Sequence, residues 1–285
     1  MFGTLSAFPL TPYDDGLDAQ AYAGLIARLA AARVDCIGAL GSTGCAPYLS
    51  LKERQEAARI AVAESQGVPV MVGISALASR DVLTLAEGAQ QAGAKALLLA
   101  PVSYQPLEED EVFGLYQAVS QASSVPVCVY ENPRTTQFTF SNTLRQQLAA
   151  LPQVAAFKIP GLSADTLQAL RPMLPPSIQL GVAGDGFAAA ALGAGADHWH
   201  SVLAGLFPEA CQRLVSAINQ GTDPADLGAL WALFSRYGSL KVMAAAASAM
   251  GLANNSLVPP LKPLVGEAQT EIKATLMTLN LLAIS

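Results

Sequence analysis

Charge is scarce in this sequence. Only 13% of the 285 residues are Asp, Glu, Lys or Arg, against 52% hydrophobic, which excludes a disordered, self-repelling chain. Long apolar runs are missing as well. Those at 96–100 and 244–247 end early, far short of the roughly 18 residues that a membrane span needs. No basic segment precedes an apolar one in Met1-Phe-Gly-Thr-Leu-Ser, so no secretory signal is expected, and the chain reads as a cytoplasmic protein. The formal net charge of −6 leaves no excess of basic residues for nucleic acid. The four cysteines, Cys36, Cys45, Cys128 and Cys211, lack C-x-x-C spacing, so neither a zinc framework nor a disulfide scaffold is expected. Histidine is rarer still. His198 and His200 are the only two, on one face of a strand-like run without a carboxylate motif beside them, and no metal site is expected.

What the chain does contain is a regular alternation. Short apolar runs at 4–8, 36–40, 70–73, 96–99, 127–130, 155–159, 179–183 and 198–202 are separated by longer Ala-rich stretches of helical character. The helices are expected near 18–33, 51–66, 79–93, 108–123, 141–150, 163–171, 186–194 and 205–220. In the second, Ser50 and Glu53 form a capping box; Leu51, Ala58 and Val62 make an apolar stripe, with Lys52, Glu53 and Arg54 on the wet side. Gly-Val-Pro at 67–69 and Ser-Val-Pro at 124–126 each close a helix and lead into an apolar run, as does Ala-Gly-Ala at 92–94 and 194–196. Eight strand–helix units with short connections predict an α/β fold, a (β/α)₈ TIM barrel. A doubly wound open sheet would place a Gly-rich phosphate turn after its first strand, where this chain has Pro9-Leu-Thr-Pro-Tyr13. Residues 1–222 are read as the barrel. Residues 223–285 are read as appended C-terminal helices packed on it, at 223–237, 239–250 and 262–282, with Pro259-Pro260 separating the last two.

Barrel chemistry sits at the C-terminal ends of strands. That rule selects Gly41-Ser-Thr-Gly44, Pro101-Val-Ser-Tyr104, Tyr130-Glu-Asn-Pro133, Lys158, Gly184-Asp185 and Ser201. A lysine inside Val-Ala-Ala-Phe-Lys-Ile is costly as an ammonium, and the same surroundings lower its pKa toward a nucleophilic amine. The ordinary alternatives are a lysine paired with a core carboxylate or one snorkelling to the rim. The other five lysines lie on helices or before a strand, so Schiff-base chemistry in this barrel would fall to Lys158. Gly41, Ser42 and Thr43 offer hydroxyls and turn N–H groups to a carboxylate, although alone they would read as an ordinary turn. Tyr130, one strand over, can move a proton, or can be a packed aromatic.

With these residues in place, the chain resembles the dihydrodipicolinate synthase / N-acetylneuraminate lyase family over essentially its whole length. The family's Gly-[Ser/Thr]-Thr-Gly-Glu is similar to Gly41-Ser-Thr-Gly-Cys45, its Tyr-Asn-x-Pro to Tyr130-Glu-Asn-Pro133, its Ile-Lys to Phe157-Lys158 and its Ser-Gly-Asp to Ala183-Gly-Asp185. The resemblance implies a class I aldolase-type lyase for pyruvate or a larger 2-oxo acid. Lys158 would be the Schiff-base lysine and Tyr130 the proton-transfer residue. Ser42 and Thr43, with Gly41 and Gly184, would bind substrate. It implies no cofactor, and a homo-oligomer, tetramer or dimer.

Four departures separate this chain from a typical synthase. Cys45 stands where many members have Glu. Ser103 replaces the second tyrosine that serves a neighbouring subunit's site, with Tyr104 one position on. The arginine that holds a second substrate's carboxylate falls at Thr135, next to Arg134. Ile159-Pro160 follows the lysine. Retro-aldol cleavage, or dehydration of a sugar-acid-derived 2-oxo acid, fits these residues at least as well as dihydrodipicolinate synthesis. Two other classes remain open: a catalytically impaired barrel that binds a 2-oxo acid as sensor or scaffold, and a phosphate-handling barrel using Gly181-Val-Ala-Gly-Asp-Gly186.

Overall fold

The computed structural model describes residues 2–222 and 225–282. Eight parallel strands close into a barrel in sequence order: β1 (Leu5–Ala7), β2 (Cys36–Ala39), β3 (Val70–Gly73), β4 (Ala96–Leu99), β5 (Val127–Tyr130), β6 (Val154–Pro160), β7 (Gln179–Ala183) and β8 (His198–Ser201). Their period of two divides the apolar side chains between two cores. Ile37, Val72, Leu97, Leu99, Val129, Phe157 and Trp199 point outward into a large cluster shared with the helices. Cys36, Met71, Ala96, Leu98, Cys128 and Ala156 point inward and, with Phe2 and Phe8, fill the barrel. Tyr130 and Lys158 lie two residues beyond Cys128 and Ala156 on the same inward parity, at the C-terminal ends of their strands.

The helices α1 (Ala19–Ala31), α2 (Leu51–Glu64), α3 (Ser79–Ala92) and α4 (Glu109–Ala122) follow β1 to β4. A four-residue α5 (Pro133–Thr136) precedes α6 (Asn142–Ala149), and α7 (Ala164–Leu170), α8 (Ala188–Gly193) and α9 (Pro208–Asn219) complete the ring. The Ser50–Glu53 capping box is formed as expected. Arg54 is a correction. It lies on the buried face of α2 beside Ala57, Ala58 and Ala61, where its guanidinium donates to the carbonyls of Ser75 at 2.7 Å and Gly73 at 3.0 Å. Hydrophobic patterning puts an arginine in water, but these strand-end carbonyls give it internal acceptors.

Three helices follow: α10 (Gly228–Tyr237), α11 (Ser239–Ala249) and α12 (Glu267–Thr278). The first starts later than the expected residue 223, which with Pro224 lies outside the described residues; Asp226 Oδ1 accepts from Gly228 N, the first helical residue, at 2.8 Å. The last starts after Gly266, at φ 64°, rather than at Lys262. Among the described residues no helix is long and apolar enough to cross a membrane.

Candidate active site

Two neighbouring strand ends set the geometry. Tyr130 and Lys158 are register partners on β5 and β6, so their inward side chains stand side by side. Lys158 is 5% exposed. Its Nζ lies 4.1 Å from the centroid of the Tyr130 ring and 3.8 Å from that of Phe8. Among the described residues no carboxylate lies within ion-pair distance, so it is neither a paired core lysine nor one snorkelling into water. Burial lowers its pKa from the ordinary 10.5 to about 8, slightly opposed by Cys128 and Asp185.

The turn after β2 reaches over this pair. Leu40 and Cys45 both take left-handed backbone conformations, at φ 58° and 52°, and the chain between them folds tightly, Gly44 N donating to Gly41 O at 3.0 Å. Ser42 and Tyr130 share a hydrogen bond of 3.1 Å between their hydroxyls. Asn132 Nδ2 also donates to the Tyr130 hydroxyl, at 3.0 Å. Burial raises the Tyr130 pKa, while these two hydrogen bonds pull it back. Thr43 is buried in the same turn. Among the described residues the backbone N–H groups of Ser42 and Thr43 have no acceptor, which leaves them available to an anion.

Beyond β7, Gly184 adopts φ 91° and lies on the exposed rim. Asp185, next to it, turns inward and is buried; its carboxylate accepts from Trp199 Nε1 at 2.9 Å, Val202 N at 3.2 Å and Leu203 N at 3.1 Å. Burial raises its pKa to about 6 despite these donors. Its satisfied oxygens hold the β8 end in place.

Four other candidates are placed apart from the lysine. Tyr104 is 90% exposed and Ser103 is half-buried beside it, so neither completes the Ser42–Tyr130 pair within this chain. Arg134 is exposed on α5. Cys45 is fully buried and its Sγ lies 3.6 Å from the carbonyl of Ser256, turned toward the C-terminal segment. His198 and His200 are both in the barrel interior, their rings 4.5 Å apart, and no ring nitrogen has a partner among the described residues. Burial lowers the pKa of His198 to about 4 and that of His200 well below the ordinary value, so both are neutral. No group of three or more His, Cys, Asp or Glu among the described residues is arranged to hold a metal.

Sequence reading selected Tyr130-Glu-Asn-Pro133 but gave Asn132 no role of its own, and it passed over Phe8. Asn132 had a signal: two residues after Tyr130, it falls on the same side of an extended chain. Phe8 had none beyond its place at the end of the first strand.

The profile of the Dihydrodipicolinate synthetase family matches residues 1–279. The chain belongs to this family. Among characterised sequences it is similar to the 4-hydroxy-tetrahydrodipicolinate synthase of Corynebacterium diphtheriae, 25% identical over 281 residues that cover 95% of this chain and 92% of that protein. Among solved structures, the dihydrodipicolinate synthase of Agrobacterium tumefaciens superimposes with a TM-score of 0.95 at 40% identity, covering 98% of each chain. The N-acetylneuraminate lyase of Proteus mirabilis shares the fold, with a TM-score of 0.89 at 22% identity over 98% of this chain and 99% of that one. Members of the dihydrodipicolinate synthetase family are lyases and synthases of the class I aldolase type.

Proposed function

We propose that this chain is a Schiff-base-forming lyase in which Lys158 attacks the ketone of pyruvate or a larger 2-oxo acid. The observation that carries the reading is the desolvated Lys158 amine, free of a carboxylate partner among the described residues and set over the ring of Tyr130, whose hydroxyl is hydrogen-bonded to a second hydroxyl. A pKa near 8 leaves a usable fraction of neutral amine at physiological pH, where an ordinary lysine has almost none. Attack at C2 gives a carbinolamine; Tyr130 delivers a proton to the departing hydroxyl, and loss of water leaves the iminium. The iminium withdraws electrons from C3, which favours making or breaking the bond beyond it. Ser42 holds the Tyr130 proton in line, and the open N–H groups of Ser42 and Thr43, with Gly41, receive the substrate carboxylate. Gly184, exposed at the rim, would meet the remainder of the substrate through its backbone.

Borohydride reduction in the presence of pyruvate, followed by intact mass and peptide mapping, tests this. A pyruvyl adduct on Lys158, lost in Lys158→Ala, is the expected result. Lys158→Ala retaining full turnover on a confirmed substrate would overturn it.

A second reading, a barrel that binds a 2-oxo acid without turning it over, draws on Ser103 and the outward Tyr104, which leave the Ser42–Tyr130 pair without a second phenol among the described residues. Tight binding without turnover across a broad 2-oxo-acid panel would favour it. Self-association, as a dimer or tetramer, belongs to the same proposal; a monomeric mass by light scattering at micromolar concentration would count against it.

A further inference from the structure

The ring nearest to the lysine is not that of the tyrosine. Phe8 is 1% exposed, and its centroid is 3.8 Å from Lys158 Nζ, against 4.1 Å for Tyr130. The molecule gives this ring a slot of its own. A Cβ at Gly38 would come within 2.4 Å of Phe8 Cζ, and one at Gly41 within 2.8 Å of Cδ1, so a side chain at either position would push the ring out of place. His200 closes a further side edge-on, with centroids 5.6 Å apart and planes at 78°. The backbone is tied down as well, Phe8 N donating to Ser201 O at 2.9 Å.

An aromatic face carries a negative quadrupole and attracts a cation, most strongly where water is excluded. Among the described residues, the Lys158 amine has no carboxylate at ion-pair distance, while the faces of Phe8 and Tyr130 stand 3.8 and 4.1 Å from it. We propose that Phe8 is a positioning residue for Lys158: its π face holds Nζ beside the Tyr130 ring and stabilises the cationic iminium formed there. This rests on the Schiff-base reading above. The other titratable groups facing the amine are Tyr130 and Cys128 on β5, Asp185 after β7 and His200 on β8. Cys128, raised to about 12 by burial, and neutral His200 carry no charge near pH 8, and Asp185 is ionised there. None of the four changes charge across the window in which the lysine titrates, burial having raised the Tyr130 hydroxyl above its ordinary value.

Two readouts separate this role from simple space-filling. The first is competitive acylation of Lys158 as a function of pH, mapped by peptide mass, with no 2-oxo acid present. The second is borohydride trapping with graded pyruvate at pH 9, above the pKa of about 8, where the amine is mostly neutral. Position 8 is changed to Leu and, separately, to phenylalanines carrying increasing numbers of ring fluorines, which keep the shape and drain the face of negative potential.

The expected result is a labelling midpoint that falls stepwise with fluorination and furthest in Phe8→Leu, by up to about one pH unit, with a weakening of pyruvate capture by about tenfold. Midpoints and capture that stay constant across the fluorinated series, in proteins of unchanged thermal midpoint, would overturn the proposal whatever Phe8→Leu does. A wild-type chain that no 2-oxo acid labels, but whose acylation midpoint still falls with fluorination, would retain the Phe8–Lys158 coupling and remove the Schiff-base reading.

Discussion

The backbone N–H of Glu131 donates to the carbonyl of Lys158 at 3.0 Å, while its side chain is clamped by Arg145, Nε to Oε1 at 2.8 Å and Nη2 to Oε2 at 2.6 Å. One residue thus joins the end of β5, the end of β6 and helix α6. The pair is almost fully buried, so removing one partner strands a charge. Arg145→Leu should destabilise the fold by about 3 kcal/mol or more, read from the urea midpoint. Adding Glu131→Leu should recover much of that loss; a double variant no better than the single one would contradict this account.

Tyr130→Phe removes the hydroxyl shared with Ser42 and Asn132 and keeps the ring beside the amine. Imine formation with pyruvate should slow by roughly 10²–10⁴-fold, the usual worth of a positioned acid or base. Acylation of Lys158 in the absence of substrate should persist. Equal trapping rates in variant and wild type would remove Tyr130 from the proton-transfer role.

Lys158 predicts a pH dependence of stability with a definite sign. Its folded pKa, about 8, lies below the ordinary 10.5, so between those values the unfolded chain holds a proton that the folded chain lacks. Stability contributed by this group therefore rises as pH increases through that window and is at its lowest below it. Lys158→Met should be more stable than wild type at pH 7, with the difference shrinking toward pH 10. Urea titrations at the two pH values measure it; a difference that stays constant or grows would refute the assignment.

Gly181→Ala tests how tightly the interior beneath the lysine is filled. The added Cβ would lie 2.2 Å from His198 Cδ2 and 2.6 Å from His200 Nε2. Displacing two packed imidazoles should cost roughly 1–3 kcal/mol by denaturant unfolding. An unchanged midpoint would mean that the rings yield freely.

The barrel was legible because its strands are short apolar runs bounded by Gly and Pro, a pattern that local sequence carries in full. Five of the eight strands in fact end or begin where such punctuation places them: β3 after Pro69, β4 before Pro101, β5 after Pro126, β6 at Pro160 and β7 before Gly184. Lys158 and Tyr130 were legible for a related reason, since period and strand end together fix which way they point. Arg54 was not, because its acceptors are carbonyls some twenty residues away on another element. Phe8 was not, because an apolar residue beside a strand looks the same in sequence whether it fills space or faces a charge. Cys45 was ambiguous for the opposite reason: it follows the hydroxyl turn directly, yet the left-handed kink at its own backbone turns it away toward Ser256.

The filled interior also governs traffic. Among the described residues, Phe2, Cys36, Met71, Ala96, Cys128 and the two histidines fill the barrel below the lysine, so the approach to Nζ is from the C-terminal end of the strands. A molecule arriving and a molecule departing must use the same mouth. In a cleavage reaction the fragment nearer the rim would have to go first, and the one bound to the lysine last.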